Sequence, residues 1–169
     1  MKKAALVFAM TLLLGAVSAR AGDQASMTFT PRTGFSGASK GHGTLTLFFE
    51  KPRPYHVDSD GRQLPDGTFR LDQTVSFQGK PARQRHWLLR TVRPADYAGT
   101  LSDAAGTVTG HTDGRRLVLR YRLKGPLVMH QTLEMMSDGT IDNVGRISVL
   151  GITVGHLRET IVRESSPAG

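Results

Sequence analysis

The chain has 169 residues and no cysteine, which excludes disulfides, thiolate metal sites and cysteine nucleophiles. Its 22 Lys and Arg residues against 14 Asp and Glu residues give a net charge of +8. The basic residues are spread along the chain and are not clustered with aromatic side chains, a pattern that favours a solvated basic face. If the charge has a partner, an anionic membrane or acidic glycolipid surface is expected before nucleic acid.

The first 21 residues have the layout of a secretory signal peptide. Lys2 and Lys3 precede the uncharged apolar run 4–17, and Ala19-Arg20-Ala21 follows with small residues at the positions that a signal peptidase reads. The run is shorter than the roughly 18 to 20 residues that span a bilayer. We therefore expect cleavage after Ala21 and export to the periplasm or beyond, without a lipoprotein anchor because no cysteine follows.

The remaining 148 residues suit one domain. The leader carries three of the basic residues and no acid, so the remainder has a net charge of +5. We divide it into a loose N-terminal lead over 22–34, a single domain over 35–164, and a disordered tail over 165–169. The absence of cysteine means that this domain depends on its core alone in an oxidising compartment.

From residue 43 onward, short apolar-rich runs alternate with turn residues. Phe69, Leu71, Val75 and Phe77 share one face of their run, as expected for a half-buried antiparallel strand. Asp-Gly pairs, including Asp60-Gly61, are typical of tight hairpin turns. The pattern predicts nine strands, near 43–50, 67–78, 82–92, 96–102, 105–112, 115–123, 127–136, 139–149 and 152–163.

No segment shows a sustained helical period, and the strands recur every 10 to 12 residues or so. Short hairpin connections favour an antiparallel meander, and about eight to ten strands can close into a barrel. The sequence therefore predicts an all-β fold, an antiparallel meander closing into a small lipocalin-like (calycin-like) β-barrel. A barrel of this size is either filled by side chains or open enough for one small ligand.

Glycine and aromatic positions between Phe35 and about Arg163 resemble a bacterial family known as domain of unknown function family 3833. The matching pieces keep the family's order and spacing: Phe35-x-Gly37, Gly41-x-Gly43, Arg85-x-Trp87, Tyr97-x-Gly99, Asp103-x-x-Gly106, Gly110, Tyr121, Asn143, Gly151 and Gly155. The resemblance implies an exported protein, often a lipoprotein, of no established activity. This chain lacks the lipoprotein cysteine, and it has His130, Gln131 and Thr132 where the family often has an acidic pair and a tryptophan.

Arg85 and Trp87 form the most informative pair of side chains. A spacing of two on a strand places them on one face, which Leu89 shares, so we expect both to point inward. The guanidinium could stack on the indole and bind an anionic head group. Alternatively, Arg85 could plug the barrel by bonding backbone carbonyls or Asp72, a structural role that is common for inward charges.

The remaining candidate ligand-binding residues are aromatic or flexible and fall on predicted strands. Methionine suits a pocket for acyl chains, but it is also an ordinary core residue. The full candidate set is Arg85, Trp87, Phe77, Tyr121, Met129 and Met135.

We expect no metal site, no cofactor and no catalytic residues. The six histidines are scattered without ligand spacing. His56 to Gly61 is similar to the start of a calcium loop, but the distant glutamate is missing. There is no Gly-x-Ser-x-Gly elbow, and spacing does not show whether Glu50, Asp72, Glu134 and Glu159 converge in a cleft.

The sequence leaves three hypotheses for function. The first is a non-catalytic carrier in the cell envelope, with an apolar or lipid-like ligand such as a fatty acid held by Arg85. The second is an envelope structural or interaction factor, with a filled barrel contacting anionic lipid or a partner protein. The third and weakest is an enzyme of lipid or small-metabolite chemistry. A cavity of roughly 300 Å³ or more would favour the carrier.

Overall fold

The computed structural model describes residues 28–164, which form ten strands and one short helix. The predicted leader, residues 22–27 of the predicted lead and the tail 165–169 lie outside the described residues. Within 28–164, no helix is long and apolar enough to cross a membrane. The elements in chain order are α1 (Pro31–Phe35), β1 (Gly37–Leu47), β2 (Arg53–Gln63), β3 (Phe69–Phe77), β4 (Arg83–Arg93), β5 (Asp96–Leu101), β6 (Val108–Asp113), β7 (Arg116–Arg122), β8 (Leu127–Met135), β9 (Ile141–Val149) and β10 (Ile152–Arg163).

The ten strands form a closed antiparallel meander. Each strand pairs with the next along the chain, and β1 pairs with β10, where Gly41 lies opposite Ile161. The predicted all-β, lipocalin-like barrel is therefore confirmed. Its connectivity places the β1–β2, β3–β4, β5–β6, β7–β8 and β9–β10 turns at one end, the five-turn end. The helix, the start of β1, the end of β10 and the other four turns lie at the opposite end, the helix end.

Alternation along the strands builds the core. In β7, Leu117, Leu119 and Tyr121 are buried, whereas Arg116 and Arg120 are exposed on the outer face. This is the period-two pattern of a strand with one wet and one dry face. Buried apolar side chains from nearly every strand meet inside the barrel as one cluster.

The first two strands differ from the strands that the sequence predicted. Residues 53–63, which the sequence analysis left without a strand, form β2, and β1 begins at Gly37 instead of residue 43. Asp60-Gly61 is not a turn, because Asp60 pairs with Ala38 on one side and Asp72 on the other. The His56–Gly61 segment is likewise a strand, with His56 and Asp58 exposed on its outer face.

Residues 28–34, which were predicted to belong to a loose lead, include most of α1 (Pro31–Phe35). Thr30 caps the helix in a capping box with Thr33, and Pro31 occupies its first turn, where a missing N–H costs nothing. Phe29 and Phe35 are both buried. Phe35 packs so closely on β2 that a Cβ at Gly61 would lie 1.9 Å from its carbonyl oxygen. Helix α1 therefore covers the barrel opening opposite the five-turn end.

Candidate functional site

A belt of polar side chains crosses the otherwise apolar interior, and its first half lies on β2, β3 and β4. The Gln73 side-chain oxygen accepts hydrogen bonds from Arg85 Nε at 2.8 Å and from Trp87 Nε1 at 2.7 Å. Gln73 Nε2 donates to the Ser59 hydroxyl at 3.0 Å. Arg85 and Trp87 thus share one acceptor, which fixes both side chains on the inward face of β4.

The second half of the belt lies on β7 to β10. The Tyr121 hydroxyl donates to Gln131 Oε1 at 2.8 Å, and Gln131 Nε2 donates to Asn143 Oδ1 at 3.2 Å. Asn143 Nδ2 then donates to Glu159 Oε2 at 2.8 Å. Successive members lie on adjacent paired strands, so this half is a continuous ladder ending on a buried carboxyl group.

Two glycines of β1 make room for the end of this ladder. A Cβ at Gly41 would lie 2.1 Å from Glu159 Oε1, and one at Gly43 would lie 2.6 Å from the Tyr55 ring and hydroxyl. A real Cβ atom does not come this close to another heavy atom. Both positions therefore require glycine while the Glu159 and Tyr55 side chains lie across the inner face of β1. The Gly-x-Gly spacing therefore has a packing cause.

The electrostatics of the belt centre on Glu159 and Arg85. Burial raises the pKa of Glu159 above its ordinary value, while the bond from Asn143 and the charge of Arg85 oppose that rise. Burial also raises the pKa of Tyr121 to about 12, so its hydroxyl stays a donor. The Arg85 guanidinium lies 5.8 Å from the centre of the Trp87 ring, which meets Tyr121 edge-on at 5.2 Å. The belt carries one basic and one acidic side chain, Arg85 and Glu159, and is largely hydrogen-bonded within itself.

The interior leaves little free space. The cavity between the belt and the helix end has a volume of about 40 Å³, enough for a few water molecules and well below the roughly 300 Å³ of small-molecule pockets. Its polar walls are Gln73, Arg85, Trp87, Gln131, Asn143 and Glu159. A fatty-acid chain does not fit this interior.

A larger space lies at the five-turn end, between the β1–β2 and β3–β4 turns. This cleft, the mouth, has a volume of about 510 Å³ and combines apolar and cationic side chains. Arg53 lies over the Phe77 ring at 5.9 Å, and Phe77 packs on Tyr55 at 5.4 Å. The residues that line the mouth are Leu45, Arg53, Phe77, Lys80, Pro81 and Arg83.

The structure separates the six candidate ligand-binding residues into three places. Arg85 and Trp87 line the small cavity, and Tyr121 packs on Trp87. Phe77 lies at the mouth instead. Met129 and Met135 are buried in the apolar core, away from the walls of either space.

The acceptor of the Arg85 side chain is Gln73, not Asp72. Asp72 accepts from Arg70 at 2.9 Å, on the opposite face of β3, and the Arg70 bond is the main reason why the pKa of Asp72 is lowered. The suggested Arg85–Asp72 contact is therefore wrong, because the pleat of the strand turns the two side chains to opposite sides of the barrel wall.

Sequence reasoning did not identify Gln73, Gln131, Asn143 and Glu159 as one group. Their inward register was the available signal, since each lies two residues from a buried apolar residue on its strand. Of the four carboxylates considered for convergence, only Glu159 points inside. Over residues 28–164, no three His, Asp or Glu side chains form a potential metal cluster.

The chain belongs to the DUF3833 family, described as proteins of unknown function, and the match covers residues 10–163. The match extends further toward the N-terminus than the resemblance from residue 35 that the motifs indicated. A search of curated proteins finds no match.

Solved structures resemble the barrel at low sequence identity. The S-type phycobiliprotein lyase CpeS from Guillardia theta is 11% identical, with a TM-score of 0.62, over 78% of this chain and 89% of the lyase. A protein of unknown function from the DUF3598 family of Nostoc punctiforme is 14% identical, with a TM-score of 0.58, over 85% of this chain and 53% of that one. At these identities the likeness shows the fold alone.

Proposed function

We propose that the protein is a non-catalytic binding protein of the bacterial cell envelope that holds a small anionic amphiphile at the mouth of its barrel. The observation that carries this proposal is the composition of the mouth, where Arg53, Lys80 and Arg83 surround an apolar floor. The apolar part of the ligand would lie against Leu45 and Phe77, and its carboxylate or phosphate would lie among the three cations.

Two of the three cations of the mouth are available for an anion. Arg53 is paired with Glu50 at 3.3 Å. Lys80 and Arg83 take part in none of the ion pairs among residues 28–164. Guanidinium groups bind carboxylate and phosphate with two parallel hydrogen bonds, so Arg83 is the expected head-group partner.

The mouth supports this role better than the interior does. The inner cavity of about 40 Å³ has no room for an acyl chain, and Arg85 already donates to Gln73. The Arg85 charge also faces Glu159. These contacts support a structural role for Arg85 and move the expected head-group site two residues along β4, to Arg83.

The envelope location rests on the signal-peptide pattern of residues 1–21. The barrel fold, shared with a phycobiliprotein lyase, is consistent with a ligand-binding protein, although a fold by itself does not assign a function. The proposal therefore depends on the chemistry of the mouth.

Isothermal titration calorimetry with dodecanoate, kept below the concentration at which it forms micelles, tests the proposal. We expect saturable binding to the parent protein and about tenfold weaker binding to Arg83→Gln, the usual loss for one charge-assisted contact. Binding should also weaken as salt is added, since the cations are exposed.

Arg120→Gln is the matched control, because it removes the same charge from the exposed outer face of β7. It should bind dodecanoate like the parent. No binding by the parent, or equal losses in Arg83→Gln and Arg120→Gln, would overturn the mouth as the ligand site.

A further inference from the structure

The three most exposed large apolar side chains of the described residues lie at the five-turn end. Phe48, Phe49, Leu150 and Ile152 are all exposed there, and Phe49 and Leu150 are the most exposed large apolar side chains of the described residues. We call these four residues the apolar rim. Exposed apolar groups that cluster, in contrast to scattered ones, mark interaction surfaces.

The two turns that carry the apolar rim are neighbours in the barrel. β1 pairs with β10 up to Leu47 and Gly155, and the Phe48 N–H then donates to the Val154 carbonyl at 3.0 Å. The Phe48 and Phe49 rings lie 6.2 Å apart. The β1–β2 and β9–β10 turns therefore lie next to each other at the five-turn end.

Two residues of the apolar rim have a backbone conformation that does not favour large apolar side chains. Phe49 and Leu150 have positive φ angles of 63° and 48°, which bulky residues adopt at a cost. Leu150-Gly151 connects the paired residues Val149 and Ile152 with both φ angles positive, a position where Asn-Gly or Asp-Gly is usual. The turn would form more readily with asparagine, so the fold does not explain the leucine.

Positive charge surrounds the apolar rim. Lys51, Arg53, Lys80, Arg83 and Lys124 lie in or beside the turns of this end, against only Glu50 and Asp103. Apolar side chains at the tip, flanked by basic residues, match a surface with an anionic face and an apolar layer beneath it.

We propose that the apolar rim docks the protein onto an anionic phospholipid bilayer. Phe49 and Leu150 reach below the head groups, while the surrounding lysines and arginines contact lipid phosphates. The mouth then opens toward the membrane surface. That the mouth takes an amphiphile from the membrane surface rests on the proposed function. The docking itself rests only on the residues of the apolar rim.

Co-sedimentation of the protein, purified as its host processes it, with lipid vesicles tests the docking. We compare vesicles of phosphatidylcholine alone with vesicles that also contain phosphatidylglycerol, and expect binding mainly to the second kind. Each basic residue near an anionic surface contributes about fivefold in affinity.

The decisive variant is Phe49→Asn/Leu150→Asn. Asparagine tolerates positive φ, so the turns are kept while the apolar side chains are lost. We expect its partition onto anionic vesicles to fall about tenfold or more. The control is Val118→Thr/Val144→Thr, which removes two exposed apolar side chains from the outer wall and should change vesicle binding by less than about twofold.

Equal vesicle binding by the rim variant and the parent, or no binding by the parent, would overturn the docking proposal. A parent that dimerises, avoids vesicles and becomes monomeric in the rim variant would instead show that the rim binds a second copy. Loss of vesicle binding with dodecanoate binding intact in the rim variant supports docking alone. Arg83→Gln keeps the apolar rim, so its vesicle binding should fall by no more than the about fivefold contribution of one basic residue. Its dodecanoate binding should weaken about tenfold, and the two variants together separate the mouth from the rim.

Discussion

Glu159 is a carboxyl group held in the apolar interior of the barrel. Its partners are the Asn143 amide and, at longer range, the Arg85 guanidinium. Desolvation outweighs both of them, so the pKa of Glu159 is raised above its ordinary value of 4.5. A buried acid with a perturbed pKa is often functional, but here the surrounding ladder offers a structural reason for it.

This raised pKa predicts a pH dependence of stability. An acid whose pKa is higher in the folded state contributes stability that is fully present below its unfolded pKa and is lost as the pH rises through its folded pKa. Glu159→Gln, which cannot ionise, should therefore gain stability relative to the parent as the pH rises from about 4 toward 8. Urea unfolding of both proteins across this range measures the difference, and the histidine titrations that they share cancel.

A difference in free energy of unfolding that stays constant with pH would show that Glu159 has an ordinary pKa. If Glu159→Gln instead became less stable relative to the parent as the pH rises, Arg85 would stabilise the carboxylate more than burial penalises it.

Helix α1 is a short element whose contribution comes from its contacts. Five residues are too few for a stable isolated helix, so its order depends on the capping box of Thr30 and Thr33 and on burial of Phe35. Phe35 also lines the inner cavity together with Trp87. The helix is in effect the floor of that cavity.

Phe35→Ala should destabilise the protein by about 3 to 5 kcal/mol, the usual cost of removing a buried phenylalanine. It should also let water reach Trp87, the only tryptophan of the chain, and shift its emission to longer wavelength. Thr30→Ala is the matched control at the same element, since losing a cap costs about 1 kcal/mol without opening the cavity. Denaturant unfolding followed by Trp87 emission measures both effects, and an unshifted emission in folded Phe35→Ala would contradict the role of floor.

The two elements that sequence reasoning missed share a physical cause. Only two large apolar side chains of strand β2, Tyr55 and Val57, point inward, and the inward position 61 is a glycine. The apolar alternation along β2 is therefore weak. Gly61 resembles a turn residue but is required by the approach of Phe35. Helix α1 carries no sequence period because it is barely one turn long. Both elements are determined by contacts between distant segments, which local patterns do not contain.

At the scale of the whole molecule, closure of the barrel decides which polar residues meet. The sequence predicted inward positions for Arg85 and Trp87 from their shared face with Leu89, and both residues lie inside. It could not predict that Gln131, Asn143 and Glu159 would form one ladder, because that depends on the register of β8, β9 and β10. The same closure fills the interior, which is why we propose the mouth and the apolar rim as sites for external contacts.

A pair of arginines on β4 tests this division between a structural interior and a binding mouth. Arg85 and Arg83 are two residues apart on one strand, but only Arg85 donates to Gln73 inside the barrel. Arg85→Met should lower the free energy of unfolding by about 1 to 3 kcal/mol, because Glu159 loses its nearest compensating charge and Gln73 loses a donor. Dodecanoate affinity should stay at the parent's level. Arg83→Gln should do the opposite, with near-parental stability and weaker binding.

Trp87 emission adds an independent measurement of where a ligand lies. Trp87 is four residues from Arg83 along β4, about 13 Å at the rise of a strand, so a ligand confined to the mouth should leave its emission unchanged. A ligand that enters the interior must contact the Trp87 ring or displace the water beside it, and the emission would change in a saturable way. Saturable emission changes in the parent that disappear in Arg85→Met, without a loss of stability, would return the ligand site to the interior and make Arg85 its head-group partner.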